Sequence, residues 1–408
     1  MRAIESGAGR TEQQPGGYLA FLPNSLPREA LAFEDSTHAA LASAASAIGE
    51  LKGLASALPN PDLFLGMYVR KEALLSSEIE NVESTLEDVL EYEDAPDGAS
   101  KETAEVVHYV AALNTGIDRV RAGGQLSLAL IQELHAILMQ DEERDPDRDP
   151  PGRFRTRQNV VGRPGDTFST AVYVPPPSGP EGATTPMFTS LVNLAYYMNE
   201  FQGHAPLVRC ALAHAQFETI HPFADGNGRV GRMLIPLMLA RDGLLDIPLL
   251  YPSLVLNDDK PNYYDRLMAV RERGDWNGWV GFFSGAIVSA AREAITLTKS
   301  VQGLQAEVAA TRSGLTPTAR RLSDLMFQQP VLTATAAKTR LGVAFGSANS
   351  GLRALEKAGW VTEIKGAKRN RTYQFTRYLD LLRAAGESEP VLKRGPKRAP
   401  VTTPQAAR

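Results

Sequence analysis

Most of the chemistry this sequence offers sits in twelve consecutive residues, His221-Pro222-Phe223-Ala224-Asp225-Gly226-Asn227-Gly228-Arg229-Val230-Gly231-Arg232. Each component suits a polyphosphate. Asp-Gly-Asn-Gly is turn-forming, and its glycines let successive backbone N–H groups converge on an anion. A helix starting near Gly228 would aim its unsatisfied N–H groups and its dipole at the same spot. Arg229 and Arg232, three apart, lie near one face of that first turn and can fork onto phosphate oxygens. Asp225 supplies one hard oxygen, which suits Mg²⁺ completed by phosphates and water. His221, with an ordinary pKa near ~6.5, can take a proton from a hydroxyl at neutral pH. These residues do not say which phosphorus is attacked.

Other nucleotide folds fail on context. Gly226, Gly228 and Gly231 fit G-x-G-x-x-G, and Asp246 lies twenty residues beyond Gly226. A dinucleotide fold needs a strand before the first glycine, whereas a helical pattern and a His-Pro turn precede it here. No G-x-x-x-x-G-K-[ST] occurs, so a P-loop is absent.

The elements that must hold the motif are helical. Leu207 to Ile220 reads as an amphipathic helix leading in, and Met233 to Leu239 as a helix leading out, with a bend expected at Pro236. From Ser36 to Thr311 nearly everything has a helical pattern, as in Ala40 to Leu58, Lys71 to Tyr92, Glu102 to Val120, Ser127 to Gln140 and Phe188 to Phe201. Pro151 to Pro177 interrupts it with β-branched and aromatic residues around Gly162, Pro164 and Gly165, and reads as a short β-hairpin. From Thr316 to Asp380 the order is three helices (Pro317 to Phe327, Thr333 to Leu341, Ser347 to Ala358) and then two strands around a basic turn. That is the order of a winged helix-turn-helix.

Charge divides the chain in the same place. Residues 315–408 hold 17 Lys and Arg against 6 Asp and Glu, while residues 1–314 hold 26 against 41. Only the basic module is a plausible nucleic-acid binder, through the helix Ser347 to Lys357 and a wing of Lys365, Lys368, Arg369 and Arg371, and contact with a protein through the same module is the alternative. The single cysteine, Cys210, excludes an intrachain disulfide framework. No apolar run reaches 18 residues and no secretory signal is visible, so the expected compartment is the cytoplasm, without a membrane partner.

With these residues in view, the segment resembles the signature of Fic-domain proteins, H-P-F-x-[D/E]-G-N-G-R-x-x-R, at every fixed position. The likeness runs from about Ser76 to Phe283, with Pro151 to Pro175 resembling the family's flap. It implies transfer of AMP from ATP, with Mg²⁺, to a Ser, Thr or Tyr hydroxyl of a protein. By resemblance His221 is the general base and Asp225 the Mg²⁺ ligand. Gly226, Asn227 and Gly228 cradle the phosphates, Arg229 holds phosphates, and Arg232 reaches the γ-phosphate. Tyr263 and Tyr264 border the adenine or serve as core aromatics. In the flap, Asn159, Val160, Val161 and Gly162 offer a strand edge to the target. His38, His108, His135, His204 and His214 are assigned no chemistry, and Trp276 and Trp279 are assigned to the core.

Ser76-Ser77-Glu78-Ile79-Glu80-Asn81 matches the family's inhibitory pattern [S/T]-x-x-x-E-[G/N], carried by Ser76, Glu80 and Asn81. A carboxylate forked onto Arg232 would neutralise the cation a γ-phosphate needs. The expected fold is mainly α: a Fic-type helical bundle with a short β-hairpin flap and a small C-terminal winged-helix domain. Its expected parts are a mobile lead-in (1–35), an N-terminal helical region (36–125) with an inhibitory helix at about 71–92, and the core (126–300). A linker (301–314), the winged helix (315–382) and a disordered basic tail (383–408) follow. Removal of AMP, or transfer of another phosphate-linked group, is an alternative activity. A DNA-binding regulator with a nucleotide-sensing core is the alternative from another class, and a homodimer is also open.

Overall fold

Side-chain caps set many of the helix starts. Ser100, Ser127, Thr185, Thr316 and Thr333 each accept a hydrogen bond from the backbone N–H three residues on, satisfying one of the donors a first turn leaves orphaned. Pro186, Pro206 and Pro317 stand just inside helix starts, where no N–H is needed. The computed structural model describes residues 3–26, 31–58, 61–94, 100–141, 149–163, 165–180, 182–364 and 371–384.

Strands β1 (Glu5–Ser6), β2 (Gly9–Gln13) and β3 (Leu19–Pro23) form an antiparallel sheet in sequential order. Eleven helices follow: α1 (Asp35–Ser56), α2 (Pro61–Ile79), α3 (Leu86–Asp94), α4 (Lys101–Arg121), α5 (Leu128–Leu138), α6 (Pro186–Asn199), α7 (Pro206–Ile220), α8 (Asn227–Arg241), α9 (Ser253–Asp258), α10 (Lys260–Arg273) and α11 (Trp276–Ala310). The C-terminal module comprises α12 (Pro317–Gln328), β4 (Val331–Thr333), α13 (Ala334–Leu341), α14 (Phe345–Lys357), β5 (Thr362–Glu363), β6 (Thr372–Gln374) and α15 (Thr376–Ala384). Its sheet runs β4-β6-β5, antiparallel throughout.

The bundle is built around α7, which is buried from Leu207 to Ile220. Its polar members Arg209, His214, Gln216 and Glu218 are buried along with the apolar ones, so the helix is enclosed on every side. Its neighbour α8 is almost as deeply covered, so the joint between the two is clamped from both ends. Trp279 anchors α11 against α7 by donating its Nε1–H to the Ala211 carbonyl at 2.7 Å. Its ring packs with His214, Tyr263 and Phe283, as expected for a core tryptophan. By length and composition α11 could cross a membrane, yet most of its apolar window is buried inside the protein.

Four expectations about organisation change. Residues 1–35 are no loose lead-in across their described part: Phe21 and Leu26 are core residues, because the β1–β3 sheet packs against the helices. The helix expected over 71–92 is two helices, since α2 stops at Ile79 and Asn81 adopts a left-handed φ of 62°. Asparagine tolerates that conformation better than most residues. The 301–314 linker is helical through Ala310, with Leu304 and Val308 buried, so α11 continues unbroken from core to C-terminal module. The hairpin of Pro151 to Pro177 reduces to one antiparallel bridge, Val161 with Tyr173. Its proline- and glycine-rich flanks supply too few ladder donors for more. Lys365, Lys368, Arg369 and residues 385–408 lie outside the described residues.

The interior also holds an acid. Glu72 on α2 is fully buried, accepting hydrogen bonds from the Ser253 hydroxyl and, at 3.3 Å, the Tyr109 hydroxyl. Burial pushes its carboxyl up to about 7, against smaller opposing effects of Ser253 and Arg232. Its folded pKa therefore lies above the unfolded value, so the stability it contributes is complete in acid and is lost as pH rises through about 7. Glu72→Gln should remove this loss. Thermal melts at pH 5.5 and 8 should show the variant gaining roughly 1–3 kcal/mol on wild type at the higher pH, and an equal effect at both would contradict it.

Candidate active site

The α7–α8 joint is built by unusual backbone geometry held in place by side chains. His221 ends α7 in the left-handed region, with φ 49°. A non-glycine residue there costs on the order of 1–3 kcal/mol unless its surroundings impose it. Arg155, buried at the start of the flap segment, imposes it: its Nε donates to the His221 carbonyl at 2.9 Å, its Nη2 to the Pro176 carbonyl at 2.7 Å, and its backbone N–H to the Pro222 carbonyl at 2.9 Å. Gly226 opens α8 with φ 72°, where a Cβ would also come within 2.9 Å of the Met139 sulfur.

Asn227 does something other than cradle phosphates with its side chain. Its Oδ1 accepts from the Phe223 N–H at 2.8 Å and its Nδ2 donates to the Phe223 carbonyl at 2.9 Å, closing the loop on itself. Its backbone N–H, with those of Gly228 and Arg229, opens α8 as one of the donors a helix start leaves without an intrahelical acceptor. Asp225 is exposed at the rim, its Oδ1 accepting from the Gly226 N–H at 2.6 Å.

Arg232, only 1% exposed, sits one turn into α8 and faces the end of α2. Its Nε donates to the Ser76 hydroxyl and its Nη2 to the Ser76 carbonyl, both at 2.9 Å, and Nη2 reaches Glu80 Oε1 at 2.8 Å. The Glu80 carboxylate rests over Gly228, where an added Cβ would lie 2.3 Å from its Oε1. Glu80 is thus an oxyanion seated at a helix N-terminus with a guanidinium beside it. Burial opposes its charge, but the adjacent Arg232, helped by Arg229 and Lys260, outweighs that and holds the carboxyl below its usual range. Asn81 accepts from Lys260 Nζ at 3.3 Å. Arg229 is committed as well, to Glu105 at 2.9 Å and the Met139 sulfur at 3.4 Å.

The His221 ring is half-buried, and its pKa is pushed down to about 3, by burial first and then by the Arg155 and Arg271 guanidiniums. It is neutral at physiological pH, with one ring nitrogen unprotonated. Glu218, one turn earlier on α7, is buried with its carboxyl raised to about 7 by burial, and its Oε1 has no partner among the described residues.

Three residues matter here that the sequence did not single out. His135 on α5 stacks flat on Phe223 at 3.7 Å and accepts from the Gly152 N–H through Nδ1, so its Nε2 carries the proton donated to the Asp225 carbonyl at 3.1 Å. Burial drives its pKa down to about 4, consistent with that neutral tautomer. Arg155 and Glu105 are the other two. No spacing along the chain joins Glu105 to Arg229 or Arg155 to His221; only packing does. Of the adenine candidates, Tyr263 is fully buried and donates to His214 Nε2 at 2.9 Å, which makes it a core residue, whereas Tyr264 is 40% exposed. Asn159 reaches the loop through Nδ2 to the Phe223 carbonyl at 3.2 Å, and Val160, Val161 and Gly162 continue outward from it.

Two family profiles match: Fic/DOC family N-terminal over residues 38–118, and Fic/DOC family over residues 125–239, ending in α8 just beyond the joint. The chain carries a Fic domain. Among curated relatives, the protein adenylyltransferase Fic of Aedes aegypti is 33% identical over 134 residues, and that of Drosophila willistoni is 29% identical over 133. Each alignment covers 33% of this chain but 23% of the relative. Among solved structures, a Fic family protein from Desulfovibrio desulfuricans G20 aligns with TM-score 0.53 at 23% identity, over 85% of this chain and 98% of that one. That likeness shows a shared, mainly helical fold. The Fic profile spans the loop from His221 to Arg232, whereas Ser76 and Glu80 fall under the N-terminal profile. The ion pair therefore ties the two matched segments together.

Proposed function

We propose that this Fic domain transfers AMP from Mg²⁺-ATP to a hydroxyl side chain of a target protein, and that Glu80 holds the unliganded enzyme in check. The relatives named protein adenylyltransferase support the reaction class. The observation that carries the reading is the Glu80 carboxylate itself, seated where the α8 amides and Arg232 meet. A place that holds one oxyanion so closely has the donors and the field to hold another, and a phosphate is the natural occupant.

In the transfer step the target hydroxyl oxygen attacks the α-phosphorus, pyrophosphate leaves, and the hydroxyl proton passes to the neutral His221 ring. The α8 amides stabilise charge on the phosphoryl oxygens, as preorganised dipoles do when no reorientation is needed. Asp225, an exposed carboxylate beside those amides, fits Mg²⁺. Among the described residues no cluster of three acidic or thiol/imidazole side chains could hold a metal alone, so phosphates and water would complete the shell. When bound, the ion neutralises phosphate charge. Before ATP can engage Arg232, Glu80 must leave it, because carboxylate and γ-phosphate need the same guanidinium face.

Incubation with each nucleoside triphosphate, followed by mass analysis of acceptor proteins, tests the reading; a mass increase matching one AMP group would be the expected mark of adenylylation. Adducts of another group would replace the AMP assignment, and none from a released variant would refute it. The pH dependence follows from His221. A base is active above its pKa, and His221 titrates at about 3, so kcat/KM should stay level from pH 8 down to 5. Loss of activity centred near pH 6.5 would show that the ring titrates as an exposed imidazole.

A further inference from the structure

Resting on the transferase reading above, and on the expectation from the sequence that the flap offers a strand edge to the target, we propose that the N-terminal β1–β3 sheet is a brace that positions the flap for the target strand. The flap has little internal order: among the described residues the backbones of its two sides pair at Val161 and Tyr173 alone, through N–H···O bonds of 2.8 and 3.0 Å, while the Arg155 and Gln158 side chains, donating to the Pro176 and Pro175 carbonyls, tie its base. Such a segment cannot by itself hold a backbone edge in register. The sheet supplies what is missing. The Phe21 N–H of β3 donates to the Val174 carbonyl at 2.9 Å, so β3 lies along the return side of the flap. Ala20, Ala171 and Val174 form a small buried cluster of their own, with Tyr18 and Val160 packed on it. Tyr18 stacks on Phe168 at 4.2 Å, nearly parallel.

At its other end the sheet is fastened to the helices under the catalytic loop. The Ser6 hydroxyl donates to the Arg271 carbonyl at 2.7 Å, and the Gln216 side-chain amide donates to the Asn24 carbonyl at 3.0 Å. Arg271 in turn donates to the Glu218 carbonyl and the Thr219 hydroxyl, just ahead of His221. One continuous path therefore runs from flap to sheet to the end of α7. The sheet closes only the return edge of the flap. The opposite edge, at Val160 and Gly162, meets no strand among the described residues, so an extended segment can add there without displacing the sheet. This arrangement fits a brace and not a plug.

The test uses the full chain carrying Glu80→Gly. Ala20→Glu forces a charge into the small cluster, and Tyr18→Ala, at a half-buried position, removes only the ring stack. Amide hydrogen exchange at Val161 and Tyr173 should quicken on the order of tenfold in Ala20→Glu and less in Tyr18→Ala, with amides of α8 unchanged. Transfer of labelled AMP to the proteins of a bacterial lysate should fall several-fold in both, while the ATP-induced thermal shift stays as in the parent. Unchanged flap exchange would overturn the brace, and so would faster exchange accompanied by greater transfer, which would make the sheet a plug. If the parent transfers no AMP, the function proposed above fails, while the exchange measurement still decides the brace.

Discussion

His221→Ala is expected to lower AMP transfer by roughly 10²–10⁴-fold, the range a positioned general base contributes, with ATP binding nearly unchanged. The reason lies in where the ring stands. Its backbone is fixed by Arg155, and the donors around the seated carboxylate, the first amides of α8 and Arg232, all belong to α8, so removing the ring leaves the anion site intact. Alanine in a left-handed conformation is itself unfavourable, by about 1–2 kcal/mol, so loss of folding must be separated from loss of chemistry. His221→Asn serves as the control, since asparagine tolerates that φ while lacking an imidazole. Both variants should show the ATP-induced thermal shift of the parent and neither should transfer AMP at its rate. Retained transfer in the asparagine variant would remove His221 from the mechanism.

Glu80→Gly is expected to act in the opposite direction, raising transfer by tenfold or more. In the proposed reading Glu80 and the phosphate compete for one buried guanidinium, so the carboxylate's hold would be subtracted directly from the affinity for ATP. Each 1.4 kcal/mol removed is worth about tenfold. The same substitution leaves buried Arg232 without its carboxylate, but Glu80 is 36% exposed and the Ser76 acceptors remain, so the cost should fall below the about 3–5 kcal/mol of breaking a fully buried pair. The unliganded variant should therefore melt lower than wild type and recover more on adding Mg²⁺-ATP, because ligand binding stabilises in proportion to its occupancy. Calorimetric melts with and without nucleotide, alongside labelled transfer, give both halves. Equal labelling by the two proteins, or an equal thermal response to ATP, would show that the Glu80–Arg232 pair is structural only.

Charge placement in the C-terminal module bears on its role. In the described part Arg371 pairs with Glu363, Arg377 with Glu307 on α11, and Arg383 with Glu87 on α3. Part of the basic excess is thus spent on the acidic helices of the same chain. Exposed pairs of this kind contribute little individually, yet they show that opposite net charges in the two halves have an internal use besides any external one.

What the sequence determined by itself was local. The order of helices, the capped starts at Ser100, Ser127 and Thr185, and the joint from His221 to Arg232 all follow from residue type and spacing over a few positions. Ser76 and Glu80 are legible only through resemblance to the family's inhibitory pattern, since the partner they share, Arg232, lies 156 and 152 positions away. Tertiary structure decided which partner each functional group has. Arg229 faces Glu105, 124 positions away, and Arg155 clamps His221 across 66. His135, with nothing around it in the sequence to mark it, is pinned beneath the Asp225 loop by a stacked ring and two hydrogen bonds. The first 26 residues carry the same lesson. Strands of two to five residues are too short to show a periodic signature, and their order comes from Phe21 and Ala20 finding a surface made by other elements. Local pattern is written in neighbouring side chains, whereas burial, charge pairing and proton affinity depend on distances that only the packed chain sets.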